Sequence, residues 1–267
     1  MSRRIETIRH KRFVMEAFRF GEQGREPIVL LPGLSVGSVL AYADAIADAY
    51  RIFAEEFEIF VLDRRLDLPP SYSVWDMADD TADAIALLGI QAANLYGVSQ
   101  GGMIAQAIAL RHPELVKRMM LGSTAARLSA AAKELLQTWV RLAREGDAKG
   151  LIDAFCEAVY SEAFYLQNRD ALLSMANGIT QKDLSRFLIL AEQTTDFNCY
   201  EDLSRITCPV LVQGAGKDRV LGREASVELA HKLGCALCLY EDCGHAAYDE
   251  APDFKALSYR FFKGDPI

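Results

Sequence analysis

Short apolar runs alternate with longer segments of helical period along most of this chain, and that rhythm restricts the fold more than any other feature. The runs "PIVLLPG" (27–33), "EIFVLD" (58–63), "VKRMMLGS" (116–123) and "CPVLVQG" (208–214) lack polar alternation, as strands covered on both faces do. Between them, segment 74–88 places Met77, Ala78, Ala82, Ile85 and Leu88 at the spacing of one helix face. The combination predicts an α/β protein with a mainly parallel twisted sheet flanked by helices. The leading stretch "RFVMEAFRF" (12–20) alternates instead, and reads as a half-exposed antiparallel strand.

The rhythm stops after residue 123 and resumes at 208, with mostly helical sequence between. We therefore expect a core formed by 1–123 and 206–267. Segment 124–205 is expected to be a helical lid inserted over the carboxyl ends of the strands, where open α/β sheets bind ligands. Its aromatic residues, among them Trp139, Phe155, Tyr160, Phe164, Phe187 and Phe197, are expected mainly to hold the lid helices together, with some available to line an apolar pocket.

A strand at 93–98 runs into "GVSQGG", and a helix leaves it from Met103 to Arg111, ahead of Pro113. Gly97-Val98-Ser99-Gln100-Gly101 satisfies G-x-S-x-G. At so tight a strand-to-helix turn, side chains two residues either side of the serine would collide, and glycine removes the collision. The turn then exposes the Ser99 hydroxyl and aims the Gln100 amide at the same space.

A serine hydroxyl needs a base to become a nucleophile at neutral pH. Of four histidines, His10, His112 and His231 read as surface residues, whereas His245 follows a strand in "EDCGHAAYDEAP", at the sheet end that carries Ser99. Gly244 is expected to let that loop turn tightly. Asp218, in "GAGKDRV" after another strand, is the acid that would orient the base. Asp196, Asp242 and Asp249 read as solvated carboxylates. Attack on a carbonyl also requires preplaced donors for the oxyanion, and "LPGLSVG" (31–37) offers the Leu34 amide opposite that of Gln100.

Composition narrows the rest. The 267 residues are 51% hydrophobic and 25% charged, which is ordinary for a globular chain. The net charge of −8 disfavours nucleic acid as a partner and leaves a small-molecule substrate. The basic stretch 3–12 reads as a solvated first strand. Cys235, Cys238, Cys243 and His245 are closely spaced, but cysteines three apart on a strand face opposite ways, so no metal site is expected. No cofactor is implied. With no membrane-length apolar run and no secretory leader pattern, a cytoplasmic location is expected.

Taken together, "LPGLSVG", "GVSQGG", "RHPELV", "GAGKDRV" and "CGHAAYDEAP" resemble the α/β-hydrolase fold superfamily over nearly the whole chain. The resemblance implies Ser99 as nucleophile, Asp218 as acid, His245 as base, and the Leu34 and Gln100 amides as the oxyanion hole. It implies a serine hydrolase acting on an ester, thioester or lactone of a mainly apolar acyl group. Carbon–carbon bond hydrolases, acyltransferases, perhydrolases and low-turnover binding proteins share the same triad. The chain departs from many relatives at Pro32-Gly33, where they have His-Gly. It departs again in "DRRLDLPPSYSV", whose two arginines read as structural or solvated, with recognition of an acidic substrate as the alternative.

Overall fold

The computed structural model describes residues 3–267. Its centre is an eight-stranded sheet: β1 (Arg4–Arg9), β2 (Val14–Gly21), β3 (Glu26–Leu31), β4 (Phe57–Leu62), β5 (Ala93–Val98), β6 (Val116–Gly122), β7 (Val210–Ala215) and β8 (Ala236–Tyr240). The spatial order is β1-β2-β4-β3-β5-β6-β7-β8. Only the β1–β2 and β2–β4 pairs are antiparallel, so the mainly parallel sheet expected from the sequence is the one found.

Both faces are covered, which is why the central strands read as continuous apolar runs. In β3, Val29 and Leu31 enter one core, while Ile28 and Leu30 enter the other. The second core also takes residues of α1 (Ala43–Ala49). The first packs against α2 (Val74–Leu87) and α3 (Gln100–Arg111). Ser73 and Asp76 form a capping box that starts α2, and Gly89 at φ 76° lies just beyond its end.

Between β6 and β7 lie α4 (Ala130–Arg144), α5 (Ala148–Val159), α6 (Glu162–Ser174) and α7 (Gln181–Thr194). Their starts are set by Ser129, Asp147, Ser161 and Thr180, each accepting from an amide of the first turn. The chain finishes with α8 (Arg223–Leu233), α9 (Ala247–Glu250) and α10 (Phe254–Lys263). Among the described residues, no helix is long and apolar enough to cross a membrane.

The basic N-terminal stretch is an edge strand whose charges are partly paired rather than merely solvated: Arg3 bonds Asp44 and Asp48, and Arg12 reaches Asp83. All six cysteines are free thiols.

Candidate active site

Loops at the carboxyl edge of the parallel strands carry the candidate residues: Leu34 after β3, Ser99 after β5, Asp218 after β7 and His245 after β8. Ser99 has φ 52° and ψ −123°, a conformation that is costly for a residue with a side chain. It stands at the N-cap of α3, where serine ordinarily bonds the first turn, yet its hydroxyl makes no such bond. The hydroxyl belongs instead to a cavity of about 430 Å³ that Leu34, Gln100 and His245 also line. The helix begins at Gln100, three residues before the start read from the sequence, so the Gln100 amide is in its first turn.

The two glycines flanking Ser99 are required by contact. A Cβ on Gly97 would stand 2.7 Å from the Gly101 carbonyl oxygen, and one on Gly101 would stand 1.9 Å from that of Leu31. The collision inferred from the motif therefore exists at Gly97, whereas at Gly101 the obstacle is the neighbouring strand β3. Thr124, just beyond β6, donates its hydroxyl to the Ser99 carbonyl at 2.7 Å and braces the turn.

Asp218 and His245 form a buried pair, with carboxylate Oδ2 2.8 Å from imidazole Nδ1. The other oxygen accepts from the Val220 and Leu221 amides at 2.8 and 2.9 Å. Burial pushes the Asp218 carboxyl up, but His245 and the two amides outweigh it and hold the group below its ordinary value. Ser99 and His245 share the cavity without a hydrogen bond between hydroxyl and imidazole, a gap that free enzymes often close only around substrate. His10 lies beside Asp83, His112 bonds Asp79, and His231 is on the surface.

The two arginines of "DRRLDLPPSYSV" are structural. Arg65 bonds Asp80 and the Arg12 carbonyl. Arg64, just after β4, is buried; it donates to the Gly33 carbonyl at 3.1 Å and to the Gln100 side-chain oxygen, and faces Asp63 at 3.6 Å. Burial lowers its pKa to about 10, which leaves it charged at neutral pH. Gln100 Nε2 in turn donates to the Leu190 carbonyl of α7 at 3.0 Å, and Arg186 of the same helix bonds Asp63 at 2.8 Å. One buried polar cluster thus joins the Leu34 loop, the residue after Ser99 and a helix of the insertion.

A family model described as the alpha/beta hydrolase fold matches residues 26–252. The chain belongs to the α/β hydrolase family. This α/β hydrolase is 25% identical over 253 residues to RutD of a Caulobacter species, provisionally named a carbamate hydrolase, covering 90% of this chain and 92% of that one. It is 31% identical over 194 residues to BpoC of Mycobacterium tuberculosis, provisionally named a non-heme bromoperoxidase, covering 68% and 72%. Among solved structures, an alpha/beta hydrolase enzyme from a Medee basin deep-sea metagenome superposes with a TM-score of 0.87 at 22% identity, covering 98% of each chain. The enol-lactonase of Burkholderia xenovorans superposes at 0.84 with 19% identity, covering 97% of this chain and all of that one.

The inserted helices of this α/β hydrolase contribute to the cavity wall through Trp139, Phe155 and Tyr160, among others. Phe187 and Phe197 are buried away from the cavity, and Phe164 stacks on Tyr160. The loop bearing His245 is fastened to the insertion: the Ala246 amide donates to the Val159 carbonyl at 2.9 Å, and Glu250 accepts from the Ser161 and Gly244 amides. Gly244 is needed less for turning than for this approach, since a Cβ there would stand 2.4 Å from the Ser161 nitrogen. Asp196 and Asp242 are exposed, as expected. Asp249 is exposed as well, and it also lines the cavity. Arg64 lies in "DRRLDLPPSYSV" and Asp249 and Glu250 in "CGHAAYDEAP", but nothing in those segments pointed to the contacts they make.

Proposed function

We propose that this α/β hydrolase is a serine hydrolase that cleaves an ester, thioester or lactone of a small to medium, mainly apolar acyl group. The observation that carries the reading is the buried Asp218–His245 pair opening onto the cavity that the strained, uncapped Ser99 also lines. In this scheme Ser99 Oγ attacks the carbonyl carbon while His245 Nε2 takes its proton. Asp218 accepts from Nδ1–H, fixing the tautomer and stabilising the imidazolium. The Leu34 and Gln100 amides meet the oxyanion, an effect commonly worth about 3–4 kcal/mol for a single donor.

Collapse of the tetrahedral intermediate breaks the bond to the leaving alcohol or thiol, which receives the proton from His245. Water then gives a proton to His245 as its oxygen attacks the acyl-enzyme, and collapse frees the acid and restores Ser99. The scheme uses no cofactor. The largely apolar wall suits an acyl chain. The names of the structural relatives, an enol-lactonase and an esterase of Thermogutta terrifontis among them, lie within this bond class.

The test is rapid quenching with a panel of para-nitrophenyl esters, acyl thioesters, lactones and carbamates, followed by intact-protein mass measurement. An ester, thioester or lactone is expected to leave its acyl mass on the wild-type protein and none on Ser99→Ala. Turnover confined to carbamates would reassign the bond, and neither acylation nor turnover with any member would reject the hydrolase reading.

A further inference from the structure

One wall of the cavity does not suit a wholly apolar ligand. Asp249, four residues after His245 on α9, is exposed and lines the cavity. It is also enclosed enough by protein that burial raises the pKa of its carboxyl. Its one hydrogen-bonding partner is the Tyr160 hydroxyl, a long contact at 3.4 Å. No lysine, arginine or histidine among the described residues forms an ion pair with it. The nearby Lys255 ammonium offsets part of the effect of burial on Asp249 at a distance, but it makes no ion pair with it, donating instead to the Tyr248 carbonyl and lying 5.2 Å from the centre of the Tyr50 ring.

Tyr50, Tyr160 and Tyr248 line the same cavity, and the charge of Asp249 helps to raise the pKa of all three phenols, so the four side chains share one electrostatic neighbourhood. A carboxylate that faces a cavity with one weak hydrogen-bonding partner keeps most of its acceptor capacity open to a ligand. A cation satisfies both the carboxylate and the electron-rich tyrosine rings, whereas an anion would meet repulsion from each. The net charge of −8 acts in the same direction at long range.

We propose that Asp249, with Tyr50, Tyr160 and Tyr248, forms a subsite for an ammonium group carried by the substrate. The assignment rests on the cavity being the substrate pocket of the proposed hydrolase. It adds a cationic terminus to an otherwise apolar substrate and makes Asp249 a determinant of specificity. The Ser99 end of the cavity would handle the scissile bond while the Asp249 wall anchors the charge.

Calorimetric titration with butyltrimethylammonium tests the subsite without requiring turnover. Saturable binding is expected to wild type and equally to Ser99→Ala, with affinity lowered about tenfold or more in the nearly isosteric Asp249→Asn, as loss of a partly desolvated charge contact implies. Thermal melting establishes that the variant is folded. Absence of saturable binding to wild type overturns the proposal with no variant involved, as does equal affinity in folded Asp249→Asn. Labelling by a serine-reactive phosphonate on the same samples separates the two readings. Binding without Ser99 labelling rejects the hydrolase assignment but retains the cation subsite; labelling without binding does the reverse.

Discussion

Arg64 donates to the carbonyl of Gly33 at 3.1 Å, and the same guanidinium holds the side chain of Gln100. The backbone on which the two proposed oxyanion donors are carried is therefore braced by one buried cation, balanced by Asp63, which also pairs with Arg186 of α7. Placement of the donors depends on a contact with the inserted helices.

Replacing Arg64 should therefore impair catalysis through position. In Arg64→Lys the charge remains, but the shorter side chain with a single ammonium cannot keep one nitrogen on both the Gly33 and Gln100 acceptors while a second faces Asp63. Since one oxyanion donor is worth roughly 10²–10³ in kcat, misplacement is expected to lower kcat by about tenfold to a hundredfold, with KM changed much less. Steady-state kinetics on a panel ester, with melting as the folding control, checks this. A kcat within about twofold of wild type would show that the brace does not position the donors.

Asp218 and Asp249 should respond to pH with opposite signs. Asp218 is held below its ordinary value of 3.8, so its stabilising contribution is present above that value and is lost as pH falls through the lowered one. Asp249 is held above 3.8; the folded state retains its proton more tightly, and that advantage disappears as pH rises through the raised value. At about pH 7, Asp218→Asn is expected to lower Tm and Asp249→Asn to raise it, the Asp249 difference fading as pH falls through its raised value and the Asp218 difference only as pH falls through its lowered one. Melting curves across that range decide the point, and shifts of the same sign at neutral pH would contradict it.

Glu250 ties the His245 loop to the insertion by accepting from the Ser161 amide at 2.8 Å and the Gly244 amide at 3.2 Å. Glu250→Ala leaves both amides without that acceptor and is expected to cost about 1–3 kcal/mol of stability. Glu250→Gln keeps a carbonyl acceptor and should retain most of that stability. Hydrogen exchange at Ser161 and Gly244 provides the local readout. Equal exchange in the two variants would mean that the clasp is not made by this side chain.

Much of the fold was legible in the sequence because its determinants are local. The apolar runs of β3 to β7 mark strands buried on both faces, and the glycine spacing around Ser99 is a local pattern, although only Gly97 answers to the turn itself while Gly101 answers to β3. Asp218 and His245 could be selected because each follows a strand at the same sheet edge. Arg64 could not be assigned its role, since its partners Gly33 and Gln100 lie 31 and 36 positions away and the cluster closes only through α7. Asp249 looked like any acidic loop residue; only the packing of α9 beside Tyr160 of the insertion turns it toward the cavity. The start of α3 was read late because Gly101 and Gly102 weaken the helical signal of its first turn.

The central claim is that Ser99 is the nucleophile of this cavity, and labelling by an active-site serine phosphonate with peptide mapping tests it most directly. The account predicts one phosphonyl addition on the peptide containing Ser99, slowed strongly in His245→Ala and abolished in Ser99→Ala. Labelling that maps to another residue, or that persists in Ser99→Ala, would contradict it.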